Sequence, residues 1–351
     1  MPPSSAAKLA WCAAAPLLAF AYLELAVAAF KLAPARAQPI TVWTPTMDRT
    51  MEGDQAEYRF DPVRLWEPRP GALFVNEPIN VDGYRGPVHA KTRSAALRIV
   101  TLGESTTFGM HVPDADSWPR QLERRLRERG VDVEVLNFGV IGHSVVQGLA
   151  TYGGRVREYR PDIVIACFGG LNEHFPCGGL DDASKLELFA MPGFQTRVFL
   201  ERFGGVRWLT SLIAAHKEPT NGDAQRVSPE QYRDALLELR AETQRDGVEL
   251  VLVAPPVSRT GRANTPQIAA YFAQLESTCA SAKIPLARAD LAVAKADDAL
   301  PEAERSTSTP SKLFHDPWHP WGNGHALCAA AIEATLESSG ALAHRAPADS
   351  R

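Results

Sequence analysis

The chain has 351 residues, with 37 basic and 41 acidic side chains and 45% hydrophobic residues. That length holds one large or two small domains, and a formal net charge of -4 leaves no basic surface for nucleic acid. The five cysteines, Cys12, Cys167, Cys177, Cys279 and Cys328, form no close pair and no Cys/His cluster at zinc spacing, which argues against a metal site.

The first element is apolar. Leu9 to Phe30 is a run of 22 residues whose one ionisable group is Glu24. As a helix it would span roughly 33 Å, the thickness of a bilayer core. The run exceeds the apolar region of about 7–15 residues in a cleaved signal peptide. Residues 1–37 are therefore expected to form an uncleaved signal anchor, a transmembrane helix. The rivals are a signal peptide cut at Ala35-Arg36-Ala37 and a buried core helix. Cys12 is a poor lipidation site, since bulky Trp11 precedes it. Lys8 lies before the run and Lys31 and Arg36 after it, so charge does not fix the orientation. Signal-like segments serve export, so the rest of the chain is expected outside the cytoplasm, or secreted if the segment is cleaved.

A Pro-rich polar stretch, 38–61, is read as a linker. Residues 62–96 hold Trp66, Gly71, Asn80, Gly83, Tyr84 and Gly86, a pattern of turns and short extended pieces. A regular alternation follows. Leu97–Leu102, Val133–Phe138, Asp162–Phe168 and Val248–Ala254 are apolar strands, and Ile284–Ala287 is a short fifth. Between and after them lie helices at Asp116–Arg129, with Pro119 in the first turn, and Ser144–Tyr159, stopped by Arg160-Pro161. A helix from Ser228 opens with a capping box to Gln231. Further helices begin at Thr265-Pro266 and run over Ala326–Leu336. Cys167 and Cys328 lie in apolar runs and read as core residues; a Cys177–Cys279 disulfide is left open.

Nearly continuous apolar strands alternating with helices imply a parallel sheet covered on both faces, a three-layer α/β/α sandwich of about five strands. Its domain is expected to span 62–340, with a disordered tail at 341–351. Residues 176–227 interrupt the alternation. They read as a helical excursion packed on the domain, with a lid or a substrate-binding, membrane-facing surface as the alternative.

Ligands of such sheets bind beyond the carboxyl ends of the strands. The first strand is followed by Gly103-Glu104-Ser105, the second by Gly139-Val140-Ile141-Gly142-His143, and the third by Gly169-Gly170-Leu171-Asn172-Glu173-His174. Asp316-Pro317-Trp318-His319 lies near the C-terminus. A serine hydroxyl needs an adjacent base, histidine serves at neutral pH, and a carboxylate fixes its tautomer. The Ser105 and Gly142 backbone N–H groups and the Asn172 amide can serve a developing oxyanion. Each element alone is commonplace; four at successive strand ends make Ser105, His319 and Asp316 the candidate nucleophile, base and orienting acid. Such chemistry requires no metal or organic cofactor. His315 is a rival base beside Asp316. His143 and His174 are candidate cleft residues, His325 is placed on the last helix, and Trp318 and Trp321 are candidate walls beside the base.

These blocks resemble the SGNH, or GDSL, hydrolase family. "LGEST" is similar to its first block, "NFGVIG" to its second, "GGLNE" to its third and "DPWHPWGNGHAL" to its last. The resemblance implies a flavodoxin-like fold and a serine esterase acting on a small-molecule or glycan ester through an acyl-enzyme on Ser105. An O-acyltransferase modifying cell-surface polysaccharide and a non-catalytic binding protein of the same fold are the alternatives. "NVDGYRGP", before the first strand, is similar to a bacterial subgroup with an N-terminal membrane segment. Glu104 and Glu173 stand where the family pattern has aspartates. An ordinary α/β-hydrolase is disfavoured, because no Gly-x-Ser-x-Gly elbow is present and the acid sits next to the base.

Overall fold

The computed structural model describes residues 5–33, 57–177, 180–200, 203–214 and 225–342. The chain opens with helix α1 (Ser5–Ala29). Two antiparallel hairpins follow, β1 (Tyr58–Asp61) with β2 (Leu65–Pro68) and β3 (Leu73–Phe74) with β4 (Glu77–Pro78). Then come β5 (Leu97–Gly103), α2 (Ser105–Phe108), α3 (Trp118–Glu128), β6 (Val133–Gly139), α4 (Val145–Gly154) and β7 (Ile163–Cys167). The interruption holds α5 (Asp182–Ala190), α6 (Phe194–Leu200) and α7 (Gly204–Ala214). The remainder is α8 (Pro229–Arg245), β8 (Glu249–Val253), α9 (Arg259–Asn264), α10 (Ile268–Ala282), β9 (Leu286–Ala287), α11 (Ala289–Asp298) and α12 (Gly322–Ser338).

Strands β5 to β9 form one parallel sheet in the order β6-β5-β7-β8-β9. Both faces are buried, so the strands are apolar over most of their length rather than at alternate positions, and the charged exceptions on β5 and β6, Arg98 and Glu134, are paired with each other (2.6 Å). Strand β5 sends Val100 and Leu102 into one core, beneath α4, α8 and α10. Its Leu97 and Ile99 enter the other, beneath α3, α11 and α12. This is the three-layer sandwich that the alternation implies. The cap of α8 is as expected: Gln231 N–H donates to Ser228 Oγ (3.2 Å) and Ser228 N–H donates to Gln231 Oε1 (2.8 Å).

The N-terminal expectation is corrected. The apolar run does form a helix, but among the described residues no helix is long and apolar enough to cross a membrane. Its one carboxylate is bound within the protein. Glu24 accepts the N–H groups of Gly204 (2.8 Å) and Gly205 (2.6 Å), capping the start of α7. Val27 is buried and Phe20 packs edge-on to Phe203. Strand β1 also lies within the stretch read as a linker, whose residues 38–56 lie outside the described residues, as does the tail beyond 342. Cys177 and Cys279 are separate buried thiols.

Two glycines let α2, which carries Ser105, sit directly on the sheet. Gly103 and Gly139 face each other in register at the ends of β5 and β6. A Cβ at Gly103 would collide with Thr107 Oγ1 and lie 2.7 Å from the Cys167 carbonyl oxygen; one at Gly139 would lie 2.5 Å from Phe108 N. Gly103→Ala is expected to lower the unfolding free energy by about 1–3 kcal/mol, the usual cost of overpacking, read from urea unfolding midpoints.

Candidate active site

Strand order sets where a site can form. The connection from β5 leads to β6 on one side of the sheet and that from β7 leads to β8 on the other, so a crevice opens between the carboxyl ends of β5 and β7. Ser105 begins α2 immediately after β5, and Asn172 follows β7. Gly142 sits in a tight turn after β6, closed by His143 N–H to Val140 O (3.1 Å), with φ +79, a conformation that favours glycine.

The C-terminal loop completes the set. His319 Nε2 lies 2.7 Å from Ser105 Oγ, and its Nδ1 lies 2.7 Å from Asp316 Oδ2. Asp316 Oδ1 also accepts the N–H groups of Trp318 and His319, each at 2.9 Å. Burial alone would raise the Asp316 carboxyl. Hydrogen bonding by His111 and His319, with the charge His319 can carry, instead holds it well below the usual carboxylate range. With Asp316 fixing Nδ1–H, Nε2 of a neutral ring faces Ser105 as an acceptor. Ser105, Gly142, Asn172, Asp316 and His319 all line one cavity of about 320 Å³. Asn172 donates one amide hydrogen to His143 O (3.1 Å), leaving the other for that cavity.

Residues 101–327 match the GDSL-like lipase/acylhydrolase family. The chain belongs to that family. Among its relatives, an arylesterase of Vibrio mimicus is 33% identical over 75 residues, 21% of this chain and 38% of that protein. Esterase TesA of Pseudomonas aeruginosa is 27% identical over 78 residues, 22% and 39% of the two chains. The chain thus spans about two-fifths of the length of the curated relatives it matches. Similar solved structures include an alpha/beta hydrolase enzyme from the metagenome of Lake Arreo, 18% identical with a TM-score of 0.47, covering 72% of this chain and 99% of that one. The acetylxylan esterase of Geobacillus stearothermophilus is 15% identical with a TM-score of 0.46, covering 68% and 94%.

Both departures from the GDSL pattern have a visible consequence. Glu104 brings Oε2 to 2.8 Å from Ser105 Oγ. Glu173 reaches back so that Oε1 accepts Val145 N–H (2.8 Å) at the start of α4, while Oε2 accepts Asn172 N–H (3.3 Å). The other candidates separate cleanly. His143 is buried with Nε2 2.9 Å from Trp66 O, and burial pulls its pKa down to about 3, so it is a neutral strut rather than a cleft residue. His174 Nδ1 lies 2.7 Å from Gly170 O. His325 is on α12, where its Nδ1 accepts Trp118 N–H. Trp318 lines the cavity, whereas Trp321 packs on His315. His315 stacks on His111 (centroids 3.9 Å) and does not take the base's place at Ser105.

His111 is the residue that motif spacing misses. It sits in the loop after α2 with φ +70, and its Nε2 lies 3.4 Å from Asp316 Oδ2. Among the described residues, His111, His315 and Asp316 bring three possible metal ligands within 4.8 Å of one another. Their two rings stack at an interplanar angle of 14°. Lone pairs that lie in two nearly parallel, stacked planes do not meet at one point, which suits a support for the carboxylate better than a chelate.

Burial pushes the Glu173 carboxyl up to about 7 from 4.5. A raised carboxyl contributes stability that is complete below the unfolded value and lost as pH rises through the folded one. Wild type should therefore lose on the order of 3 kcal/mol from this group between about pH 4.5 and pH 8. Glu173→Gln should lack that decline, so urea unfolding of the pair at pH 5 and pH 8 should show the variant gaining on wild type as pH rises.

Proposed function

We propose that this protein is a serine esterase that forms an acyl-enzyme on Ser105. The 2.7 Å contact between His319 Nε2 and Ser105 Oγ carries this reading. Ser105 Oγ attacks the ester carbonyl carbon as its proton passes to His319 Nε2. Asp316 holds the imidazolium in place. The tetrahedral oxyanion is met by the Ser105 and Gly142 N–H groups and the Asn172 amide. Collapse expels the alcohol, which takes the proton from His319. Water then attacks the acyl-Ser105 carbonyl, giving up a proton to His319, and a second collapse releases the acid and restores Ser105.

The cavity narrows the substrate. Its volume of about 320 Å³ is at the small end of ligand sites, which favours short acyl groups. Its walls are largely apolar, with Tyr58, Ile141, Leu171, Phe175 and Trp318 among them. Its other charged side chains are carboxylates, Glu57, Glu104 and Asp316, and among the described residues no lysine or arginine lines it. A neutral ester fits this field; an acyl group ending in a carboxylate is repelled, less so at high salt.

A fluorophosphonate is expected to label wild type and not Ser105→Ala, and His319→Ala should lower kcat at least about 100-fold, the lower bound for losing a general base. A neutral p-nitrophenyl ester should be turned over with kcat/KM at least about 10-fold above its succinyl half-ester analogue. Absence of labelling, or full activity without His319, would overturn the mechanism. We also infer from the apolar N-terminal segment that the domain works outside the cytoplasm; detection of the full chain only in the cytosolic fraction of its host would refute that.

A further inference from the structure

The direction of the Gly142 N–H is set from outside its own loop. A trans peptide is planar, so the carbonyl of Ile141 and the N–H of Gly142 point opposite ways on one rigid unit. The Ile141 carbonyl accepts Trp66 Nε1–H at 3.0 Å. Trp66 is fully buried on β2. Holding the carbonyl on the indole side turns the attached N–H toward the opposite side, where Gly142 lines the cavity. The next peptide is held likewise, because Gly142 O accepts Arg226 Nη1–H at 2.9 Å. The indole is itself fixed to the turn. His143 Nε2 lies 2.9 Å from Trp66 O, the His143 ring meets the indole edge-on, and the Arg226 guanidinium lies 5.5 Å from its ring centroid.

We propose that Trp66, from a hairpin that precedes the family-matched residues 101–327, is a positioning residue for the oxyanion hole: its indole N–H aims the Gly142 N–H at the reacting carbonyl. The proposal rests on the serine-esterase reading of the site. An oxyanion donor acts on the transition state more than on bound ester. Misaiming one donor therefore lowers kcat while leaving KM nearly in place.

Trp66→Phe keeps an aromatic ring and deletes the N–H. Its kcat on a neutral p-nitrophenyl ester should fall about 10- to 100-fold, somewhat less than outright loss of a donor. KM should stay within about twofold of wild type, and affinity for an alkylboronic acid, whose adduct on Ser105 mimics the tetrahedral state, should fall in parallel with kcat. A second replacement guards against poor folding: benzothienylalanine at position 66, which keeps the two-ring shape and exchanges the N–H for sulfur. The same loss of kcat and of boronate affinity in this folded variant supports the proposal. Unchanged kcat in it, or a Trp66→Phe loss that tracks only the unfolded fraction, overturns the proposal. Wild type that turns over no ester would overturn the esterase reading instead.

Discussion

The hydrogen bond between His319 Nε2 and Ser105 Oγ joins residues 214 positions apart, and the proposed chemistry depends on the frame that holds its two ends. Ser105 is fixed by the end of the sheet, with Gly103 and Gly139 allowing α2 to approach it closely. His319 is fixed by its own loop. His315 N–H donates to His319 O (2.8 Å), Ser258 N–H donates to Pro317 O (3.2 Å), and Trp321 N–H donates to Leu313 O (2.8 Å). A general base must hold its place to a fraction of an ångström, and a loop braced at three points by backbone bonds meets that demand better than a free one.

Support below the site comes from buried charge. Arg85, within "NVDGYRGP", donates to the carbonyls of Phe108 (2.8 Å), Gly109 (2.5 Å) and Val112 (2.6 Å), satisfying the end of α2 and the loop that carries His111. Arg226 ties the helical interruption to the oxyanion turn through Asp182, Gln147 and Gly142. Such ions are costly to bury and are tolerated where nearly every donor finds an acceptor. They specify geometry more than they add stability, and both arginines converge on loops whose shape matters to the reaction. Asp182 and Arg226, near the two ends of the interruption, are accordingly anchored at the turn that carries Gly142.

The sheet was legible because burial on both faces removes ambiguity from its strands. Leu97–Leu102 had to be core in any arrangement, and its abrupt end at Gly-Glu-Ser marked the rim. Ser105, Gly142, Asn172, Asp316 and His319 stood out because of their residue types at successive strand ends, and the structure brings them to one cavity. The supports were not legible. Trp66 resembles any buried aromatic, and its part depends on a carbonyl 75 positions away. His111 reaches Asp316 only because the loop after α2 turns through a positive φ, which no local pattern announces. Helix α1 was read by hydropathy alone. That measure counts Glu24 as a defect and cannot register its bonds to Gly204 and Gly205.

In the proposed mechanism the extra methylene of Glu104 bears on the reaction itself. Ser105 has one hydroxyl proton and two acceptors within reach, Glu104 Oε2 at 2.8 Å and His319 Nε2 at 2.7 Å. Only the second arrangement prepares the oxygen for attack. The Glu104 side chain is buried, and among the described residues its Oε1 has no hydrogen-bond partner, so the contact with Ser105 is its polar anchor. The balance shifts once the proton has moved to His319. The carboxylate then faces an imidazolium across the serine oxygen, and opposite charges in a cavity of low polarity attract more strongly than in water. The same group that competes for the proton at rest thus favours the charge separation on which attack depends.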